Sequence, residues 1–220
     1  MKLRALVTYL AGLEAHNRKL WFDAHREEYD SLRAEFEDVV QQAILRIAHF
    51  EPEVAAVTPR ECIFRIYRDV RFAKDKSPYK TQFSAVIGPG GRKGGLASYY
   101  FHVDAAGKLL VAGGIYAPDA RQLERIRQAI ARDPRWLERI VRAPRFRRLF
   151  GGLIDEDKLK NAPRGFATDH PAVEWLKLKR YVAWSEKPVS ALRGKDLAAH
   201  VADECRALQP LVAYLRAVLA

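Results

Sequence analysis

The densest group of ionisable side chains lies at residues 64–81, FRIYRDVRFAKDKSPYKT. Six cations surround two carboxylates in this stretch. Arginine binds phosphate and carboxylate groups through paired hydrogen bonds, and lysine supplies a compact positive charge. The stretch therefore predicts a site for an anionic ligand, such as a phosphorylated small molecule. The candidate ligand-binding residues are Arg65, Arg68, Asp69, Arg71, Lys74, Lys76, Tyr79 and Lys80.

Two interpretations of residues 64–81 stay open at the level of sequence. In the first, the cations contact the anion, Asp69 orients them or acts as an acid/base group, and Tyr79 and Trp21 wall the pocket. In the second, Asp69 and Asp75 pair with neighbouring cations in a solvated loop. A further alternative is an enzyme that acts on a phosphorylated substrate, although no motif in the sequence specifies the reaction or a cofactor.

The elements that must position this stretch are strands. Apolar side chains alternate over residues 62–67, which predicts a strand leading into the loop. The pattern predicts further strands at 83–87, 97–103 and 108–115, and 181–184 is an additional candidate. Consecutive strands joined by short turns indicate an antiparallel meander.

Helices are predicted before and after these strands in the sequence. Apolar residues recur at spacings of three and four within 17–50, where Asn17 is a candidate N-cap. The helical period returns at Pro118, a candidate first helical residue, and a last helix begins near Gly194. We therefore expect an α+β fold, with an antiparallel sheet of about four to five strands packed against N-terminal and C-terminal helices. No linker is visible, so we expect one domain over 1–220.

The composition is that of an ordinary globular protein, with 49% hydrophobic and 30% charged residues, and it excludes a disordered chain. Cys62 and Cys205 are too few for a disulfide framework, so we expect buried free thiols and a cytoplasmic location. The N-terminal residues 1–16 are interpreted as an amphipathic helix rather than a signal peptide. No spacing typical of a metal site is present, and no apolar run reaches the roughly 18 residues of a membrane span. We therefore expect neither a metal nor a membrane partner.

The net charge of +11 is unevenly distributed along the chain. Residues 1–58 carry 7 basic and 10 acidic side chains, whereas residues 59–220 carry 31 and 17. Residues 118–148 form a second basic region, with 10 basic and 4 acidic side chains. This region offers an alternative function, a module that binds nucleic-acid backbones without sequence selectivity. Trp136 and Phe146 lie within it, and we expect both in the cores of short helices rather than as stacking platforms.

Three smaller features can each be interpreted in more than one way. Gly113 and Gly114 lie within a predicted strand and mark a close approach by another group. That group is a ligand, the basic loop of residues 64–81, or a tightly packed helix. His102 is either a general base in a cleft or a structural histidine. The glycine-rich residues 88–95 lack the Gly-Lys-Ser/Thr ending of a nucleotide-binding loop, which favours a hairpin connection.

Five stretches, spread over nearly the whole chain, carry a family resemblance. They are HNRKLWFDAHREEY (16–29), FRIYRDVRFAKDKSPYKT (64–81), SYYFHVD (98–104), LLVAGGIYAPD (109–119) and APRGFATDHPAVEWLKLKRYVA (162–183). Together they resemble the conserved hypothetical family called domain of unknown function 2461. Ala73 and Trp175 depart from the residues usual in that family, and neither departure removes an ionisable group. The resemblance implies one α+β domain and places the charged residues of 64–81 within the family's motif. It implies no mechanism.

Overall fold

The structure is a computed structural model that describes residues 1–192 and 196–220. The α-helices of those residues are α1 (Leu3–Ala15), α2 (Lys19–Ala24), α3 (Arg26–Ala48), α4 (Pro59–Cys62), α5 (Ala120–Arg132), α6 (Arg135–Arg142), α7 (Pro144–Phe150), α8 (Val173–Leu176) and α9 (Leu197–Leu219). The strands are β1 (Gln82–Ile87), β2 (Ser98–Asp104), β3 (Lys108–Ile115) and β4 (Tyr181–Pro188). Short 3-10 helices follow α3, β1 and β4.

The strands of the described ranges form a four-stranded antiparallel sheet in the order β1-β2-β3-β4. Its first three strands are the predicted meander. Burial alternates along β2, where Tyr99, Phe101 and Val103 are buried while Tyr100 and His102 are partly exposed. Alternation of this kind is typical of a strand with one face in a core. Helices and sheet together confirm the predicted α+β class.

The predicted strand over residues 62–67 is wrong. Thr58 and Glu61 form a capping box, and Pro59 occupies the first turn, so a short helix extends to Cys62. The chain after it is extended but meets its neighbours only at isolated antiparallel bridges, Ile63 with Ala85 and Tyr67 with Tyr79. A local capping signal therefore overrides the period-two pattern at the start of this segment.

The chain divides into two compact units. The first comprises Met1–Gly94, Tyr100–Val111 and Glu186–Asp203. In its core the Phe36 ring of α3 lies 5.5 Å from the Phe83 ring of β1 and 5.5 Å from the Phe101 ring of β2. The apolar stripe of α3 thereby packs on one face of the strands, as the helical spacing of its residues requires.

The second unit comprises Gly95–Tyr99, Ala112–Ser185 and Glu204–Ala220. A Cβ added to Gly113 would lie 2.8 Å from Cβ of Leu208 in α9. Gly114 has φ +129°, and a Cβ there would collide with the carbonyl oxygen of Tyr181. Both glycines are thus explained by close packing within this unit. The expectation of one domain over 1–220 stays a prediction.

Two predicted helix starts differ from the structure. α5 begins at Ala120, and Asp119 is its N-cap, where the Asp119 carboxylate accepts a 2.8 Å hydrogen bond from the Gln122 amide. Pro118 therefore lies just outside the helix. The predicted start of the last helix at Gly194 lies outside the described residues, and α9 is described from Leu197.

Both cysteines are buried free thiols, as expected. Burial raises the pKa of Cys62 to about 11, which keeps this thiol protonated and unreactive at neutral pH. No helix in the described part of the chain is long and apolar enough to cross a membrane.

Candidate functional site

Asn17 fixes the end of the basic loop. Its side-chain amide donates to the Tyr79 carbonyl oxygen at 2.9 Å, and its amide oxygen accepts from the Tyr79 N–H at 3.0 Å. The prediction of Asn17 as an N-cap is wrong, because Arg18 is the N-cap residue of α2. The Asn17 side-chain amide instead pairs with the main-chain N–H and C=O of a residue 62 positions away, as a residue of a neighbouring strand would.

The Arg68 side chain links the start of the loop to residues near its end. Its guanidinium pairs with the Asp75 carboxylate and donates to the Ser77 carbonyl oxygen at 3.1 Å. Asp75 also accepts hydrogen bonds from the N–H and hydroxyl of Ser77. Hydrogen bonds from Ser77, and then from Arg68, hold the pKa of Asp75 well below its usual range. Arg68 and Asp75 are therefore part of the loop's own structure.

A second ion pair, between Asp69 and Arg71, lies in the part of the loop that Arg68 and Asp75 enclose. The Arg71 guanidinium donates to both oxygens of Asp69, at 3.0 and 2.7 Å. These hydrogen bonds hold the pKa of Asp69 below its usual value, so its carboxylate is an acceptor at neutral pH. Lys76 donates to the Val70 carbonyl oxygen at 3.0 Å. The pairs foreseen by the second interpretation of this loop are thus present.

The remaining cations of the loop are less compensated. Arg65 and Lys74 are exposed, and their charged groups have no hydrogen bond or ion pair to any residue within 1–192 and 196–220. Lys80 is half-buried and donates to the Arg65 carbonyl oxygen at 3.0 Å. Burial, followed by the nearby guanidinium groups of Arg65 and Arg92, lowers the pKa of Lys80.

These groups define a basic cluster, which consists of Arg65, Lys80 and Arg92. Lys80 and Arg92 lie over the ring of Phe64, and the charge of Arg65 acts on Lys80. Lys80 Nζ lies 5.1 Å and Arg92 Cζ 5.9 Å from the centroid of that ring. Arg92 is itself oriented by hydrogen bonds to the carbonyl oxygens of Arg60 and Glu61, at 3.1 and 3.0 Å. The cluster concentrates positive charge beside an aromatic ring, and the charges that act on Lys80 are cations.

An open pocket of about 570 Å³ lies beside the cluster. Four of the predicted site residues line it, namely Arg68, Asp69, Tyr79 and Lys80. Arg65, Arg71, Lys74 and Lys76 belong to the same loop but are not among its lining residues. Trp21 is not a lining residue either, because its ring stacks on His25 at 3.9 Å. The other lining residues are Glu14, Asn17, Asp75, Ser77, Thr81 and Gln82.

A polar chain extends from the pocket along the partly exposed face of β2. Gln82 Nε2 donates to the Tyr100 hydroxyl at 3.0 Å, and His102 Nδ1 lies 3.1 Å from the same hydroxyl. Burial lowers the pKa of His102, which keeps the imidazole neutral at neutral pH. The bond to Tyr100 uses one of the two N–H donors of the Gln82 amide, so the second N–H and the carbonyl oxygen are left for a ligand.

Sequence reasoning missed Glu14, Asn17, Gln82 and Arg92. Glu14 ends a helix and Gln82 begins a strand, so their own neighbours give no sign of a pocket. Arg92 lies in the glycine-rich turn, where its positive charge was the available signal. Only the pairing of distant segments brings these side chains to the loop.

The second basic region differs from expectation at one residue. Phe146 is buried, as predicted, but the expectation that Trp136 is a core residue is wrong because its side chain is 56% exposed. Arg127, which the sequence did not set apart from the other arginines, is buried. Its guanidinium donates to the carbonyl oxygens of Leu176 and Leu178, at 2.8 and 3.1 Å.

Fold and site together define an α+β protein with a basic, internally braced loop beside an open polar pocket. A family model described as conserved hypothetical protein DUF2461 matches residues 5–214. The chain belongs to this family, as its motifs indicated. No curated protein and no solved structure matches the chain.

Proposed function

We propose that the protein binds an anionic, phosphate-bearing small molecule at the basic cluster and the adjoining pocket. The observation that carries the proposal is the environment of Lys80, a half-buried ammonium group whose neighbouring charges are two guanidinium groups. Repulsion among three cations disfavours the charged form of Lys80 in the free protein. A bound phosphate would remove that repulsion, so the cluster is suited to an anion.

The residues would divide the work of binding. Lys80 supplies a positioned charge, and the free guanidinium of Arg65 can form paired hydrogen bonds to phosphate oxygens. Arg68, which is already bonded to Asp75 and Ser77, keeps the loop in place. Thr81 and the carbonyl oxygen of Gln82 are available for polar groups on the rest of the ligand.

Titration of inorganic pyrophosphate by calorimetry at an ionic strength of about 0.15 M tests this proposal. Hydrogen bonds to charged groups contribute about 1.5–3 kcal/mol, so we expect Arg65→Ala to weaken binding about tenfold or more. The melting temperature of the ligand-free variant should not change, because the Arg65 side chain is exposed and unpaired within the described ranges.

Lys74→Ala is the matched control. It removes one positive charge from the same loop, at a side chain that is exposed and does not belong to the basic cluster. We expect its affinity for pyrophosphate to stay within about twofold of the unmodified chain, as a distant surface charge is largely screened. Equal losses in the two variants, or no binding of pyrophosphate to the unmodified chain, would contradict the proposal.

A further inference from the structure

Trp136 lies on the surface of α6, away from the residues that anchor this helix. Leu137 and Val141 are the buried residues of α6, while the indole of Trp136 is 56% exposed. Tryptophan carries the largest apolar surface of any side chain and is usually well covered. An indole that adds little to the helix's own core is available for contact with another molecule.

The surroundings of Trp136 are strongly basic. The guanidinium carbon of Arg139 lies 5.0 Å from the centre of the Trp136 ring. Residues 132–148 contain seven arginines and two acidic residues. The two acidic side chains are paired, Asp133 with Arg135 at 2.8 Å and Glu138 with Arg142 at 3.6 Å.

Other arginines of this segment keep their charges uncompensated. Arg132, Arg147 and Arg148 are exposed and form neither an ion pair nor a hydrogen bond through their side chains with the described residues. Arg147 and Arg148 lie in α7, which contacts α6, and Arg132 is the last residue of α5, three residues before α6 begins. We call residues 132–148 the α6–α7 surface.

We propose that the α6–α7 surface binds single-stranded nucleic acid. The Trp136 indole would stack on an unpaired base through the face opposite the Arg139 guanidinium, which lies over the ring, and the other arginines would contact backbone phosphates. Stacking on an aromatic side chain combined with a positively charged surface is the arrangement by which proteins bind single strands. Paired bases in a duplex keep their faces covered, so an exposed indole favours the single strand.

The same contacts predict weak sequence preference. Every base has a flat aromatic face, and phosphate contacts do not depend on the base. Charge excludes an apolar partner, because five excess positive charges would have to lose their water on binding it. The site lies within one compact unit and shares no residue with the proposed phosphate site.

Fluorescence anisotropy of a labelled 20-nucleotide oligothymidine with the full chain tests the proposal. We expect binding at low salt that weakens steeply as salt increases. Trp136→Ala should weaken it about tenfold or more, within the range measured when a stacking residue is removed, and Trp136→Phe should recover most of the affinity. Arg148→Ala should lower the slope of log affinity against log salt concentration by about one.

The chain offers a close control for each variant. Tyr116 is 60% exposed and has the guanidinium of Arg180 4.3 Å from its ring centre, so Tyr116→Ala removes a comparable exposed aromatic group elsewhere. Arg164→Ala removes one exposed positive charge outside the α6–α7 surface. Both should bind the oligonucleotide as the unmodified chain does.

Four results would overturn the proposal. The first is no binding of the oligonucleotide at low salt. The second is equal affinity for a duplex of the same length, and the third is an unchanged affinity in Trp136→Ala; either of these removes the role of stacking. The fourth is equally tight binding of polyglutamate, which would assign the surface to acidic peptides.

Discussion

Lys80 is a partly buried cation whose neighbouring charges are also cations. Its ammonium group is half-buried beside Phe64, and burial and two guanidinium groups lower its pKa. The unfolded chain therefore binds more protons than the folded chain at alkaline pH. Through this group, stability rises with pH between the folded pKa and the ordinary value of 10.5. An anion at the cluster would reverse the shift by favouring the charged form.

NMR titration of labelled lysine side chains measures this effect directly. We expect the pKa of Lys80 in the free protein to lie below the ordinary lysine value of 10.5. Saturating pyrophosphate should raise the pKa of Lys80. A Lys80 pKa that does not respond to pyrophosphate would show that the anion binds elsewhere or not at all.

At the level of elements, the basic loop is braced rather than open. Asn17 pairs with Tyr79 at its end, Arg68 spans from the loop's start to Asp75 and Ser77, and Lys76 bonds to Val70. Because the loop is fixed at several points, its pocket side chains would lose little conformational entropy on binding a ligand. Of the predicted site residues, Arg68, Lys76 and Tyr79 therefore brace the loop.

Arg68→Ala distinguishes support from ligand contact. Surface ion pairs contribute at most about 1 kcal/mol, so we expect a small loss of global stability but faster amide hydrogen exchange over residues 69–77. Arg65→Ala should leave exchange in this loop unchanged, because its side chain makes no contact that braces the loop. If the two variants exchange alike, the bracing by Arg68 is not significant.

Across the whole molecule, the basic residues have different surroundings. Some are neutralised in ion pairs, some of those in the basic cluster and the α6–α7 surface are exposed, and Arg127 is buried as a structural group. The Arg127 guanidinium in α5 bonds to the Leu176 and Leu178 carbonyl oxygens at the end of α8. A cation suits this position, since a helix carries partial negative charge at its C-terminal end.

We expect Arg127→Ala to lower the free energy of unfolding by about 2–4 kcal/mol, because it leaves buried carbonyl oxygens without donors and removes a packed side chain. Urea unfolding followed by circular dichroism measures the change. Arg121→Ala, at an exposed position on the same helix, should differ from the unmodified chain by less than about 0.5 kcal/mol. Similar values for the two variants would mean that Arg127 has no structural role.

The sequence by itself determined the α+β class, the meander of β1 to β3, the free buried thiols and the stretch that forms the basic loop. These follow from patterns between near neighbours, where alternation and helical spacing report burial directly. The short α4 forms where a strand was predicted, because a capping box also acts locally and outweighs the alternating pattern.

Only the tertiary structure decided which of the described charged side chains are paired within the protein and which are left exposed. Asn17 meets Tyr79 across 62 residues, Arg92 joins Lys80 at Phe64 from another turn, and Arg127 finds its acceptors about 50 residues away. Trp136 is likewise of a residue type that is common in cores, but its position is exposed. Such outcomes depend on distances between segments that chain folding brings together, and residue type alone does not encode those distances.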